Sequence, residues 1–233
     1  MALWSKQFSK TIIDFFFPAY CIGCGKEGGF LCDNCCRNLP RIQSPYCDRC
    51  GKPEVSGTLC SICWGWKANI DGIRSPFRFD GIIRQAVHEL KYHNLKAITE
   101  CLAEFLFSYL EGNQIPVDVL VPVPLHKKRL RKRGYNQSSL IAKRLGRLAT
   151  LPVIDDCLVR SKDSQPQTRT NAVNERQANV SDAFVCSDNR LKGKQVLLID
   201  DVCTSGATLE ACAVAAKAVG VSSVWGLTLA REA

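Results

Sequence analysis

Two adjacent carboxylates, Asp200 and Asp201, directly follow a run of four apolar residues. A loop of small and hydroxyl-bearing residues comes next, formed by Thr204, Ser205, Gly206, Ala207 and Thr208. Apolar residues at helical spacing then continue to Gly220. Backbone N–H groups at such a helix N-terminus bind phosphate, while carboxylates beside it accept hydrogen bonds from hydroxyls or bind Mg²⁺. The pattern therefore predicts a sugar-phosphate site at the end of a buried strand.

This segment closely resembles the signature of type I phosphoribosyltransferases, which bind phosphoribosyl pyrophosphate (PRPP). The resemblance implies that Asp200 and Asp201 contact the ribose hydroxyls and that the loop from Thr204 to Thr208 holds the 5′-phosphate. An ordinary strand-to-helix turn with a capping aspartate would account for one carboxylate. It would not account for two aspartates followed by this loop.

A second segment is strongly basic. It follows an apolar run, Val117–Pro124, that predicts a buried strand closed by prolines. Its cations are Lys127, Lys128, Arg129, Arg131, Lys132 and Arg133. Three interpretations remain open: a solvated loop, a wall that neutralises the pyrophosphate of PRPP, or a patch that binds nucleic-acid phosphates. The last two are compatible, because both ligands are rich in phosphate.

The cysteines indicate metal. The chain has 14 cysteines, and eight of them form four C-x-x-C pairs. These are Cys21 with Cys24, Cys32 with Cys35, Cys47 with Cys50, and Cys60 with Cys63. Four such pairs predict two closed Cys₄ zinc sites, in either a sequential or a cross-braced arrangement. A dinucleotide-type pattern at Gly23–Gly28 lies inside the first knuckle and lacks the required strand and helix, so we do not interpret it as a nucleotide site.

Length and composition set the broad class. The chain has 233 residues, 46% of them hydrophobic, and a formal net charge of +9. It has no apolar run of 18 residues, and we expect neither membrane insertion nor a signal peptide. The apolar segment Ile12–Phe17 is predicted to pack on the cysteine module. Cysteines spaced for metal binding rather than for disulfide formation predict a cytoplasmic protein.

The order of predicted elements indicates an α/β fold. From residue 71 onward, short apolar strands alternate with amphipathic segments, which favours a mostly parallel sheet with helices on both faces. The resemblance implies that this sheet is of the type I phosphoribosyltransferase kind. We expect two units: a zinc-binding module over residues 1–70 and a phosphoribosyltransferase domain over residues 71–233. The polar segment Ser161–Val180 is a connector in the simplest interpretation. The resemblance to phosphoribosyltransferases instead implies a flap that closes over the donor, with Arg169 and Arg176 reaching phosphate.

Taken in order along the chain, further motifs resemble the ComF (competence protein F) family of phosphoribosyltransferase-like proteins. Besides the C-x-x-C pairs and the Asp-Asp loop, they are Asp80-Gly81, Leu90-Lys91-Tyr92, Pro122–Arg129, Arg133–Gln137, Gln167, Glu175-Arg176, Asn179-Val180 and Leu229–Arg231. The chain departs at Cys203-Thr204-Ser205, where relatives often carry Thr-Thr.

The ComF resemblance implies a role in DNA uptake, natural transformation or the use of external DNA. It implies zinc in the cysteine module and Mg²⁺ with PRPP as cofactors. The expected partners are PRPP, single-stranded DNA, and other proteins of DNA uptake or recombination. It does not identify an acceptor for a phosphoribosyl transfer. One alternative is a non-catalytic factor that kept the PRPP cradle and binds DNA or a partner protein.

Overall fold

A computed structural model of the protein describes residues 19–54, 58–160, 183–186 and 188–232. The apolar segment Ile12–Phe17 and the predicted flap Ser161–Val180, with Arg169 and Arg176, lie outside the described residues. The helices are α1 (Asp33–Arg37), α2 (Ser61–Trp64), α3 (Gly81–Tyr92), α4 (Thr99–Glu111), α5 (Lys127–Arg133), α6 (Gln137–Ala149) and α7 (Ala207–Ala218). The strands are β1 (Gly72–Arg74), β2 (Phe77–Arg78), β3 (Val119–Pro122), β4 (Leu158–Arg160), β5 (Phe184–Cys186), β6 (Gln195–Cys203) and β7 (Ser223–Arg231). Short 3₁₀ turns occupy Lys96–Ile98 and Asn189–Leu191.

The main sheet has the order β1-β7-β6-β3, and every pairing in it is parallel. Strand β2 also pairs with β7, directly after β1, and Ser75 and Pro76 separate these two short strands. Strands β4 and β5 form a separate antiparallel pair. The mostly parallel α/β fold is therefore confirmed.

Both faces of the sheet are covered, as β6 shows most clearly. Val196 and Leu198 belong to one buried cluster, together with the apolar side of α7. Leu197 and Ile199 belong to the other, which contains α3, α4 and α6. Successive strand residues point to opposite faces, so an uninterrupted apolar run is what a strand covered on both sides requires.

The connections that follow the neighbouring strands β3 and β6 leave the sheet in opposite directions. After β3 it passes through α6 and returns outside β3, where Val153 bridges to Leu120. After β6 it turns the other way, through α7 into β7. Connections that leave in opposite directions open a crevice at the carboxyl ends of the two strands, which is where open α/β sheets bind ligands.

Strand β6 is longer than predicted. The sequence indicated a strand ending at the aspartate pair, but pairing with β7 continues to Cys203 and Arg231. On the other side, pairing with β3 ends at Ile199. Asp200 and Asp201 therefore lie in a stretch of β6 that β7 supports from one side and the crevice borders on the other.

The cysteine module packs on the end of the sheet. The Ile73 N–H of β1 donates to the Arg49 carbonyl at 2.6 Å. Gly51 contacts the same strand so closely that an added Cβ would lie 2.5 Å from the Ile73 oxygen. Among the described residues, no helix has both the length and the apolar character needed to cross a membrane.

Candidate functional site

A cleft with a volume of about 170 Å³ lies at the carboxyl ends of β3 and β6. Its lining combines four cationic side chains with two carboxylates. The residues that line it are Lys91, Tyr92, Val123, Pro124, Leu125, Arg129, Arg133, Gln137, Arg160, Asp200, Asp201 and Thr208. The structure thus brings the two informative sequence segments, which are about 70 positions apart in the chain, into one site.

Asp200 is held by helix α6. The hydroxyl of Ser138 donates to its Oδ1 at 2.8 Å, and the Asp201 N–H donates to the same oxygen at 2.9 Å. Asn136 places Ser138, because its Oδ1 caps α6 by accepting from the Ser138 N–H while its Nδ2 donates to the Val123 carbonyl. Burial and the charge of Asp201 raise the pKa of Asp200 to about 7, although the Ser138 hydrogen bond opposes that shift.

Asp201 is paired with a lysine from another element. The Nζ atom of Lys91, at the end of α3, lies 2.8 Å from Asp201 Oδ2. The carboxylate side chain is only 5% exposed and the lysine side chain 20%. The end of α3 is anchored next to this pair, because the Tyr135 hydroxyl donates to the Leu90 carbonyl. The sequence motif Leu90-Lys91-Tyr92 contributed to the family resemblance, but nothing in it indicated this ion pair.

The loop after β6 has the geometry of a helix N-terminus. Gly206 is the N-cap of α7 with φ +82°, a conformation that favours glycine. A Cβ at this position would lie 2.9 Å from Ile73 Cδ1. Thr204 and Ser205 are exposed, Ala207 begins the helix, and Thr208 lines the cleft.

The basic segment is a helix rather than the loop that the sequence suggested. The His126 Nδ1 accepts from the Lys128 N–H at the start of α5. Gly134, in the left-handed conformation with φ +78°, donates its N–H to the Leu130 carbonyl at the end. Basic side chains in the last turn also favour this helix, since they interact well with its dipole.

Helical spacing divides the six cations of α5 into two sets. Arg129 and Arg133, four positions apart, line the cleft. Arg133 also donates to Gln137 and lies over the ring of Tyr92, 5.8 Å from its centroid. The remaining four are exposed and are not among the lining residues: Lys127, Lys128, Arg131 and Lys132.

Four lining residues, Lys91, Tyr92, Gln137 and Arg160, were not singled out as site residues from the sequence. Lys91, Tyr92 and Gln137 lie within motifs that carried the family resemblance. Arg160 ends β4, immediately before the predicted flap segment. Their spacing along the chain shows no periodicity, because tertiary packing of three separate elements brings them together.

The eight paired cysteines form two clusters. Cys21, Cys24, Cys32 and Cys35 compose the first, and Cys47, Cys50, Cys60 and Cys63 the second. Within each cluster the sulfurs lie within 4.8 Å of one another, including 3.6 Å between Cys24 and Cys32. Four sulfurs at about 2.3 Å from a tetrahedral zinc would be about 3.8 Å apart, so both clusters fit zinc. The arrangement is sequential, which the sequence had left open.

Backbone geometry supports the thiolate form in both clusters. The Cys32 N–H donates to Cys21 Sγ, and the Cys60 N–H donates to Cys47 Sγ, each at 3.4 Å. Burial acts to raise the pKa of Cys47, but backbone N–H groups led by that of Cys60 lower it to about 6. Thiolates are the zinc ligands, so these backbone N–H groups favour the metal-binding form of Cys21 and Cys47.

The aromatic residues near the second cluster differ in exposure. Trp66 packs against the cysteines and the adjacent core. Trp64 is 78% exposed at the end of α2. Of the two tryptophans, only Trp64 thus offers an open ring face.

Two family models match the chain. The double zinc ribbon domain matches residues 12–65, and the phosphoribosyl transferase domain matches residues 91–232. The second match covers β3, β6 and β7 and all the lining residues of the cleft. This chain belongs to the phosphoribosyl transferase domain family. The first match confirms the zinc module.

The ComF resemblance is confirmed by sequence relatives. Competence protein F of Haemophilus influenzae is 29% identical over 231 residues, covering 92% of this chain and 99% of the relative. Competence protein ComFC of Bacillus subtilis is 28% identical, with 87% and 84% coverage. The DNA utilization protein YhgH of Escherichia coli is 26% identical, with 77% and 80% coverage.

Proposed function

We propose that the cleft binds PRPP as its Mg²⁺ complex. The observation that carries this proposal is the convergence of Asp200, Asp201 and Thr208 with Arg129 and Arg133 in one cleft. In the proposed pose, the α7 N-terminus and its loop, Thr204–Thr208, hold the 5′-phosphate. The two carboxylates accept hydrogen bonds from the ribose hydroxyls, and the two arginines neutralise the pyrophosphate.

Mg²⁺ would enter this site with the ligand. Both aspartates already have protein partners, Ser138 and Lys91, so their oxygens do not form an all-protein cage for the ion. Mg²⁺ prefers phosphate and water oxygens together with one or two carboxylates, which fits delivery by PRPP. When bound, the ion would neutralise charge on the departing pyrophosphate.

A phosphoribosyl transfer at this site would need little covalent help. The bond between the anomeric carbon and the pyrophosphate oxygen breaks, and pyrophosphate leaves with the electron pair. A nitrogen nucleophile forms the new bond at that carbon and releases its proton to the solvent. The residues of the cleft would bind, orient and neutralise.

We propose that this activity serves the uptake or use of external DNA, as the names of the relatives suggest. The four outward cations of α5 support direct contact with DNA phosphates, because they are exposed and follow one another within a single helix. The open ring of Trp64 could stack on an unpaired base. Proteins of DNA uptake or recombination would then be further partners.

A non-catalytic role is the second candidate. In the proposed pose PRPP engages both aspartates, Arg129 and Arg133. The two charged lining residues that remain, Lys91 and Arg160, are cations and do not suit the role of a general base for an acceptor. A protein of this kind would bind PRPP and use its zinc module and α5 to hold DNA or a partner. Acceptor-dependent release of pyrophosphate distinguishes the two candidates.

The proposed organisation keeps a boundary between residues 70 and 71, with a zinc module before it and the phosphoribosyltransferase domain after it. The separate packing of the cysteines supports a boundary close to this position, because they form their own cluster while Ile70 already packs in the core of the sheet. We propose the cytoplasm as the location, since two Cys₄ sites need reduced thiols.

The test compares two aspartate pairs. Replacing Asp200 and Asp201 by Asn should weaken binding of Mg²⁺-PRPP by at least tenfold in calorimetry, because neutral amides lose the charge-assisted hydrogen bonds to the hydroxyls. The matched control is the Asp155-Asp156 pair, whose carboxylates bind Lys143 and Arg190 outside the cleft. Its Asn variants should bind PRPP normally. Equal affinity in wild type and the Asp200-Asp201 variant would remove the donor-site assignment.

The same protein is then tested for catalysis. Wild type with Mg²⁺-PRPP and candidate nucleobases, nucleotides or single-stranded DNA is assayed for pyrophosphate. Release that depends on one acceptor establishes a transferase. PRPP binding without any acceptor-dependent release favours the non-catalytic candidate.

A further inference from the structure

Lys91 occupies an unusual position in the cleft. It comes from α3, far in sequence from the strand ends that supply the aspartates and from the basic helix α5. Its Nζ lies 2.8 Å from Asp201 Oδ2, and the carboxylate is almost fully buried. The proposed ribose site is therefore closed by a cation when no ligand is bound.

The Lys91–Asp201 ion pair competes with a ribose hydroxyl for the Asp201 carboxylate, and PRPP carries a group that can replace Asp201 as the partner of Lys91. A ribose hydroxyl can take the place of the ammonium at Asp201 only if the ammonium finds another acceptor, because an unpaired buried charge is costly. In PRPP, the pyrophosphate is attached to the anomeric carbon, next to the carbon that bears the 2′-hydroxyl. An anionic acceptor thus arrives beside the carboxylate that the lysine gives up.

The residue type suits such an exchange. A lysine ammonium is a compact charge on a flexible stem and can move between acceptors, whereas an arginine fork is fixed in a planar, bidentate geometry. The helix that carries Lys91 is firmly placed, because the Tyr135 hydroxyl holds the Leu90 carbonyl. The side chain can move while its backbone stays in position.

We propose that Lys91 is a ligand exchange residue that pairs with Asp201 in the empty cleft and with the pyrophosphate of PRPP in the occupied one. The inference rests on the proposed function and adds a specificity to it. The cleft admits ribose phosphates that carry an anion at the anomeric carbon in preference to those that do not. Ribose 5-phosphate, which lacks that anion, would displace the ammonium from Asp201 without giving it a new partner.

The test measures two ligands on each protein. Calorimetry gives the dissociation constants of Mg²⁺-PRPP and of ribose 5-phosphate for wild type and for Lys91→Met. The variant should bind PRPP about tenfold or more weakly, which is the loss expected for one charge-assisted hydrogen bond. Its affinity for ribose 5-phosphate should stay the same or increase, because Asp201 is no longer occupied. The preference for PRPP over ribose 5-phosphate therefore falls by about tenfold or more.

Two further variants separate the exchange at Lys91 from the general loss of a nearby positive charge and from misfolding of Lys91→Met. Lys96→Met removes an exposed cation near the end of the same helix, 4.7 Å from the Tyr135 ring and outside the lining residues, and should leave the preference unchanged. Lys91→Gln keeps a neutral N–H donor for Asp201, so it allows the measurement if Lys91→Met does not fold. It should show the same loss of preference.

The outcomes are distinct. If wild type binds neither ligand, the proposed function fails. If wild type binds both and the Lys91 variants weaken both by the same factor, Lys91 only holds Asp201 in place and the exchange is refuted. An unchanged preference for PRPP in these variants also refutes it.

Discussion

The Nη1 atom of Arg231 lies 2.9 Å from the Sγ atom of Cys203, and both residues are buried. Cys203 is the last residue of β6, directly before the proposed phosphate loop. Burial raises the pKa of the Cys203 thiol to about 11, so the sulfur accepts this hydrogen bond as a neutral group. Arg231 also acts on Cys50, where its charge opposes the rise in pKa that burial causes. One guanidinium therefore lies between the second cysteine cluster and the start of the loop.

This relationship predicts unequal effects of zinc loss from the two clusters. Cys21→Ser and Cys47→Ser should each reduce zinc from two ions per chain to one, as measured by elemental analysis. Only Cys47→Ser should also weaken PRPP binding, because the second cluster packs through Gly51 on Ile73, which also contacts Gly206. The first cluster instead contacts the first turn of α3, at the opposite end of that helix from Lys91, where an added Cβ on Gly23 would lie 2.8 Å from Ile82 Cδ1.

Each variant serves as the control for the other, since both remove one thiolate from a Cys₄ site. A wild-type content of one zinc or none would contradict the two-site interpretation. Equal losses of PRPP affinity in the two variants would contradict the specific coupling through the second cluster.

The raised pKa of Asp200 predicts a pH-dependent stability. Between its unfolded value of 3.8 and about 7, the folded protein holds a proton that the unfolded chain has lost, so stability falls as pH rises. Asp200→Asn keeps an oxygen to accept from Ser138 and cannot titrate. Its free energy of unfolding relative to wild type should increase from pH 4 to pH 7 by about 1.4 kcal/mol for each pKa unit, on the order of a few kcal/mol in total, and then level off.

Urea denaturation at a series of pH values measures this difference. The Asp155→Asn variant is a suitable comparison, because hydrogen bonding to Lys143 lowers the pKa of Asp155 below its ordinary value of 3.8. Asp155 therefore titrates below this range, and the difference between its variant and wild type should stay nearly constant from pH 4 to pH 7. A constant difference between Asp200→Asn and wild type across this range would show that the Asp200 pKa is normal.

The division of α5 predicts that PRPP and DNA binding can be removed separately. Replacing Lys127, Lys128, Arg131 and Lys132 by Gln should weaken DNA binding and lower its log–log salt slope by about 0.7–0.9 for each lost phosphate contact. PRPP affinity should change little. The paired variant Arg129→Gln with Arg133→Gln should weaken PRPP binding instead, since these two side chains line the cleft.

Fluorescence anisotropy with single-stranded and double-stranded DNA at several salt concentrations provides the slope. DNA affinity that does not respond to salt, or the absence of DNA binding at low ionic strength, would remove nucleic acid as a direct partner. Loss of both PRPP binding and DNA binding in each of the two variants would show that the two sets of cations form a single binding surface.

Gly206 predicts a strong effect of a single methyl group. Gly206→Ala places a Cβ 2.9 Å from Ile73 Cδ1 on a backbone with φ +82°, so it should destabilise the protein by about 1–3 kcal/mol and weaken PRPP binding. Gly112→Ala is the control, because Gly112 has a negative φ and its nearest neighbour would be 3.8 Å away. Thermal unfolding and calorimetry measure the two effects, and identical behaviour of the two variants would contradict the constraint at Gly206.

The sequence predicted the parts of this protein that depend on local pattern. Alternating apolar segments gave the parallel sheet, and C-x-x-C spacing gave two metal clusters, because both signals repeat within a few residues. The helical form of the basic segment was missed, since its caps, His126 and Gly134, lie beyond the run of charges. Only the helical form of α5 shows which of its cations line the cleft, Arg129 and Arg133, and which four do not.

The partner of Asp201 illustrates what local pattern cannot supply. Lys91 and Asp201 are 110 positions apart, and their contact depends on the packing of α3 against the end of the sheet. A pair of aspartates at the very end of a strand, as the sequence indicated, could be replaced while leaving the fold intact. The structure differs: Asp201 is buried and paired, so removing its charge takes the carboxylate partner from the partly exposed ammonium of Lys91.

The hydrogen bond from Ile73 to Arg49 has a practical consequence for biochemistry on this protein. A chain shortened to begin at residue 71 would lose the backbone acceptor for Ile73 and the cysteine cluster beside Arg231. Strand β1, whose Ile73 contacts Gly206, would then lose the cysteine module that packs on it, although every lining residue of the cleft would still be present. Binding measured on such a fragment would reflect a damaged cradle, and a negative result from it would say nothing about the intact protein.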